Sequence, residues 1–164
     1  MARSKHKNSN SFAGIPRNII EHKSYKDIGF SARTLLILLA YQYKGNNNGN
    51  LIITWSLLKD WFGSNTTMFR ARNSLYKAGF IVINAYGGRS GNGTKLPHLY
   101  ALTWAPINEL KGENNWMRYT HYPIAKAPLN YWRYGENPDI KTKDEIDKQF
   151  KKDAKKIKKS STSF

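Results

Sequence analysis

The stretch from Ser31 to Trp104 decides the fold: SARTLLILLAYQYKG (31–45), NNNGNLII (46–53), TWSLLKDWFG (54–63), SNTTMFRARNSLYKAG (64–79), FIVINAY (80–86), GGRSGNGTKLPH (87–98) and LYALTW (99–104). In order, these pieces read as helix, short strand, helix, tight turn, helix, strand, glycine-rich hairpin and strand. Two helices joined by a short glycine-containing turn are the signature of a helix-turn-helix. A hairpin after the third helix adds a wing. The expected fold is therefore α+β: a winged helix with a three-helix helix-turn-helix core and a β-hairpin wing. An extended C-terminal segment and a terminal basic helix follow it.

Local signals set the boundaries. Ser31 suits an N-cap, with Phe30 and Leu35 at the N′ and N4 positions of a hydrophobic staple. Leu35, Leu36, Leu38 and Leu39 carry the first helix to Gly45. Being apolar on more than one face, it is expected at the buried centre. Asn46-Asn47-Asn48-Gly49 is turn chemistry, because Asn and Gly tolerate positive φ. A short strand over 51–53 follows. Thr54 can cap a second helix over 55–62, stopped by Gly63, with Trp55 and Trp61 partly buried. Ser64 or Asn65 can cap a third over 66–78, with Gly79 at C′. Residues 80–84 and 99–104 are β-branched and aromatic, and read as the strands flanking the wing.

The third helix is amphipathic. At 100° per residue, Met68, Ala71, Leu75 and Ala78 share the face expected in the core. Thr66, Phe69, Arg70, Asn73 and Lys77 lie opposite, with Arg72 and Tyr76 on a flank. Arg pairs bidentately with guanine and Asn with adenine in a major groove. The wing tip combines glycines, which permit close backbone approach, with Arg89 and Lys95 for phosphate or minor-groove contacts. The candidate DNA-binding residues are Ser64, Asn65, Thr66, Thr67, Phe69, Arg70, Arg72, Asn73, Lys77, Arg89, Asn92, Thr94 and Lys95.

Charge points the same way. The 164 residues carry 27 Lys+Arg against 11 Asp+Glu, a net charge of +16 that favours polyanions. With no cysteine, disulfides and zinc–thiolate sites are excluded. The polar, basic N-terminus does not read as a secretory signal, and no apolar run is long enough to span a bilayer. A cytoplasmic location in a bacterial host, with no membrane partner, is expected.

Outside the core, residues 1–11 read as a basic flexible arm and 12–110 as the winged-helix domain. Residues 12–28 are expected to be irregular or short helices packed on it. Residues 111–140 scatter Trp116, Tyr119, Tyr122, Tyr131, Trp132 and Tyr134 among prolines, as an extended segment pinning aromatics onto a surface. Residues 141–164 read as a Lys-rich amphipathic helix and tail. Thr142 and Glu145 form its capping box, and Ile146, Phe150, Ala154 and Ile157 form an apolar stripe. Its lysines face phosphate; the alternative is a helix lying on a membrane.

Enzyme chemistry fares poorly. The histidines at 6, 22, 98 and 121 show no metal spacing, and too few carboxylates converge for a two-metal nuclease. Tyr122 beside His121 is a packed aromatic more often than a nucleophile. The glycine-rich tip lacks the spacing of a phosphate-binding loop. No catalytic residue, metal or cofactor is expected.

The runs Ala32-Arg33-Thr34-Leu35-Leu36, Tyr43-Lys44-Gly45 and Asn48-Gly49-Asn50-Leu51, then Arg70-Ala71, Leu75, Gly79-Phe80-Ile81 and Leu99-Tyr100-Ala101-Leu102-Thr103-Trp104, resemble small winged-helix proteins carried by bacterial phages and plasmids. The resemblance covers roughly residues 14 to 110. It implies a sequence-specific double-stranded DNA-binding protein acting in transcription regulation or replication initiation. Two further classes stay open: a host-protein-binding effector using aromatic residues 116–134, and an RNA or single-strand binder stacking bases on exposed aromatics. A homodimer is also open.

Overall fold

The computed structural model describes residues 12–89, 92–110 and 119–161, without the side chains of 143, 150, 154 and 157–161. The basic arm, Ser90 and Gly91 of the wing tip, Trp116, and the stripe residues Phe150, Ala154 and Ile157 thus lie outside the described residues or side chains. The rest is mixed α+β. Six α-helices are described: α1 (Arg17–Glu21), α2 (Lys23–Asp27), α3 (Phe30–Gln42), α4 (Trp55–Leu58), α5 (Asn65–Lys77) and α6 (Lys143–Ser161). The strands are β1 (Leu51–Ile52), β2 (Ile81–Ala85), β3 (Gly88–Arg89), β4 (Lys95–Leu96) and β5 (Leu99–Leu102).

The core forms where apolar faces meet. Leu35, Leu36 and Leu39 of α3, Met68 and Leu75 of α5, and Phe80, Ile81 and Leu102 are all fully buried. Together with Leu51, Leu58 and Tyr100 they make one cluster between the helices and the sheet. The sheet is antiparallel in the order β1-β5-β2. Its register pairs Leu51 with Tyr100 and Ile81 with Leu102, with a bulge between Ile83 and Ala85. Both β2 and β5 are buried along their length, so the sheet is covered on both faces. Val82, Ala101 and Ile107 form a second cluster under Tyr122, Leu129 and Tyr131 of the C-terminal segment. Trp132, in a 3-10 turn, joins the main core, and Ile146 of α6 packs against it.

Caps and turns fix α5. Ser64 accepts from the Thr67 amide, which satisfies one of the unpaired donors of the first turn. At the other end the Phe80 amide reaches the Leu75 carbonyl and the Gly79 amide reaches that of Tyr76, a Schellman closure. Gly79 takes φ +77, and a Cβ there would lie 2.6 Å from the Glu136 carbonyl oxygen. Glycine is thus needed both for the turn and for the approach of the C-terminal segment. That segment also bonds the end of α5 directly, the Asn137 amide to the Lys77 carbonyl at 2.9 Å.

Several local expectations change. The α3 N-cap is Gly29, not Ser31, and the helix starts at Phe30. Arg33 reaches back to the Tyr25 and Lys26 carbonyls and ties α2 to this start. Although most of α3 is central, Phe30, Ile37 and Tyr41 are exposed on its outer side. The second helix is only one α-turn, continued by a 3-10 turn over Lys59–Trp61. This tightening sends Phe62 into the core and leaves Trp61 62% exposed, not partly buried; Trp55 does pack on the core. Thr54 precedes α4 but makes no side-chain cap bond.

Asn48 was a turn residue in sequence terms. It is fully buried. Its amide donates to the carbonyls of Leu102, Ala105 and Pro106, and its Oδ1 accepts from the Leu102 amide at 2.7 Å. One side chain thereby closes the end of β5 and holds the following turn.

Candidate nucleic-acid interface

Packing determines what α5 presents. With Met68, Ala71 and Leu75 turned inward, Asn65, Thr66, Arg70, Asn73 and Lys77 are exposed, together with the cap residue Ser64; Thr67 is half-buried. The sequence-derived face is therefore on the surface. Within it, however, the side chains are not equivalent.

Arg72 is half-buried and committed. Its Nε and Nη2 donate to the Asn73 Oδ1 at 3.1 and 2.6 Å, and Nη1 donates to the Tyr100 hydroxyl at 3.4 Å. Its guanidinium also lies 5.1 Å from the Phe69 ring centroid. Phe69 is thus a support for Arg72 more than an open contact. The occupied Oδ1 fixes the Asn73 amide with Nδ2 as its remaining hydrogen-bonding group. An adenine contact by Asn73 alone would need both ends of the amide. Arg70, one turn away, is exposed and makes no side-chain hydrogen bond among the described residues.

The hairpin of β3 and β4 is a second small ladder, Gly88 with Leu96 and Arg89 with Lys95. The Gly87 amide donates to His98 Nδ1 at 2.8 Å and anchors its base. Arg89, Asn92, Thr94 and Lys95 are exposed. Among the described residues Arg89 makes one long bond, 3.4 Å, to the Gly93 carbonyl, and Asn92 Oδ1 accepts from the Thr94 amide. Basic surface continues on α6, where Lys148, Lys151, Lys152, Lys155 and Lys156 are exposed.

A polar pocket was not foreseen. It measures about 200 Å³ and is lined by Tyr76, Ile83, Tyr86, His121, Tyr122, Asp139 and Lys141. Asp139 organises it: Tyr122 and Tyr131 both donate to its Oδ2, at 2.7 and 3.1 Å, and Tyr76 donates to its carbonyl at 3.0 Å. Burial raises the Tyr76, Tyr86, Tyr122 and Tyr131 hydroxyls above their ordinary pKa, so they remain neutral donors. His121 Nε2 stands 3.0 Å from Asp153 Oδ2 on α6. A carboxylate oxygen accepts, so Nε2 carries the hydrogen. Burial lowers the His121 pKa despite the opposing pull of Asp153. The C-terminal helix is therefore docked through a buried aspartate as well as through Ile146. The first signal for this was His121-Tyr122, but its partner lies 32 residues away.

No group of three or more His, Cys, Asp or Glu side chains gathers among the described residues. No described helix is long and apolar enough to cross a membrane. Comparison with family models, curated proteins and solved structures finds no match to the chain.

Proposed function

We propose that the chain is a winged-helix protein that binds double-stranded DNA in a sequence-specific way, with α5 entering the major groove and the β3–β4 hairpin resting on the adjacent backbone. One observation carries this. A helix capped at Ser64 and locked at Gly79 presents Arg70 and Asn73 on its exposed face, with Arg72 bonded to Asn73, and a separate hairpin bears exposed Arg89 and Lys95. The order β1-β5-β2, with α4 and α5 between β1 and β2 in the chain, supports the winged-helix reading.

The division of labour follows from rigidity. Arg70 sits on a packed helix and serves base readout, since base contacts specify while phosphate contacts position. Arg72 serves indirectly, by orienting Asn73. The wing and the α6 lysines meet phosphates. The net charge of +16 supplies the long-range attraction. Within this reading, the place proposed for the chain is transcription control or replication initiation in a phage or plasmid.

The test is a competition assay with labelled duplex against unlabelled duplex, single strand and RNA at one salt concentration. Duplex should compete at least about tenfold better than either alternative. Equal competition by single strands would replace duplex reading with stacking on exposed aromatics. Among the described aromatics of the C-terminal segment, Trp132 is buried and Tyr122 and Tyr131 are tied to Asp139, leaving Tyr134 and Tyr119 exposed.

A further inference from the structure

The outer side of α3 carries an uncovered seam. Phe30, Thr34, Ile37 and Tyr41 are spaced by four, three and four residues, which places them in one narrow stripe along the helix. That spacing is how a helix meets another helix. Phe30 is 84% exposed, Tyr41 74% and Ile37 49%. Such residues on the central helix of a small domain are unusual unless something covers them.

We infer that this stripe is the interface of a homodimer, in which α3 of one copy packs antiparallel on α3 of the other about a two-fold axis. Two observations favour a second copy as the occupant. The stripe is palindromic: about a centre between Leu35 and Leu36, Phe30 faces the partner's Tyr41 and Thr34 faces the partner's Ile37. An isologous contact demands that self-match.

Charge is the second observation. On a chain of net charge +16, two copies repel almost everywhere. The only charged residue of α3 is Arg33. It is turned back onto the Tyr25 and Lys26 carbonyls, with its guanidinium 5.3 Å from the Phe30 ring centroid. The four stripe side chains are thus uncharged, and the Arg33 guanidinium lies over the Phe30 ring. Residues 1–11 offer only Met1 and Ala2 as apolar side chains, so they supply no matching seam.

Area sets the expected strength. Two exposed aromatics and an isoleucine offer roughly 400 Å² per copy. The total of roughly 800 Å² falls below a standard interface, which fits a weak, concentration-dependent dimer.

Sedimentation equilibrium of the full chain tests this at about 0.5 M salt, where repulsion is screened within a few ångströms. From about 1 µM to about 1 mM, the range a weak interface requires, the mass should rise from 18.9 kDa towards twice that value. Ile37→Lys and, separately, Tyr41→Lys should stay monomeric while melting like the parent, since both positions are exposed. A parent monomeric throughout, or variants that associate as it does, would overturn the inference.

The lack of cysteine permits a geometric check. An equimolar mixture of Phe30→Cys and Tyr41→Cys chains should form chiefly the mixed disulfide. Like positions lie about 16 Å apart along the axis in the antiparallel pair, beyond disulfide reach. A preponderance of like-with-like products would overturn the antiparallel arrangement. Association does not depend on what the chain binds, so its failure and that of the DNA reading are separate results.

Discussion

Asn48 illustrates how much one buried amide can hold. Removing it leaves the Leu102 amide and three carbonyls without that partner, and each buried unsatisfied group costs about 1–3 kcal/mol. Asn48→Ala should therefore lower stability by at least about 2 kcal/mol in a urea melt; a loss within the ordinary range of surface substitutions would contradict the clamp. Three such residues escaped the sequence for one reason. Asn48 finds Leu102, Arg72 finds Tyr100 and His121 finds Asp153 across 54, 28 and 32 positions, and no local pattern encodes those meetings. His121 also gives a pH prediction. Its folded pKa is lowered, so the unfolded chain binds more protons at mildly acidic pH. The contribution is intact above the ordinary His pKa of about 6.5 and is lost as pH falls below it. The melting temperature should drop on acidification from pH 7 to 5, and His121→Gln should flatten that slope. An unchanged slope would contradict a buried neutral histidine.

At the scale of elements, ends and apolar faces were legible. Ser64 and Gly79 mark α5, and Thr142 with Glu145 marks α6 through reciprocal bonds, because caps are short-range chemistry. The start of α3 and the break after Leu58 were less so, since the bonds of Arg33 to the Tyr25 and Lys26 carbonyls and the insertion of Phe62 into the core are tertiary contacts. The elements should separate in binding assays. Arg89→Ala on the wing should weaken specific and random duplex by similar factors, because a phosphate looks the same everywhere. Arg72→Ala and Asn73→Ala should be strongly non-additive on the preferred site, because one orients the other; additive losses would detach Arg72 from readout. Truncation at 141 is not a clean probe of the basic helix, as it also removes Asp153 and Ile146 from the fold. Changing the exposed lysines 148, 151, 152, 155 and 156 to Gln should instead weaken binding uniformly across sequences. Loss of discrimination between sites would assign readout to α6.

Across the whole molecule, the core was legible, and the aromatic segment was legible as a cover though not the face it takes. Leu36 and Leu75 are fully buried, and Leu→Ala at either should cost about 2–5 kcal/mol. The second face of the sheet, covered by 122–131, is invisible in β2 and β5, whose continuous apolar runs only say that both faces are buried. If the chain binds DNA as proposed, about 5–8 phosphate contacts should give a slope of log K against log salt of about −4 to −7; a slope near zero would remove the polyanion from the account. Selection of duplexes from a random library, run side by side with the parent chain and Arg70→Ala, tests the central claim most directly. The parent should enrich one short motif, and on that motif Arg70→Ala should lose about 1–3 kcal/mol while binding random duplex almost as before, because a bidentate base contact exists only with the right base. No enrichment by the parent, or equal loss on motif and random duplex, would contradict α5 as the reader.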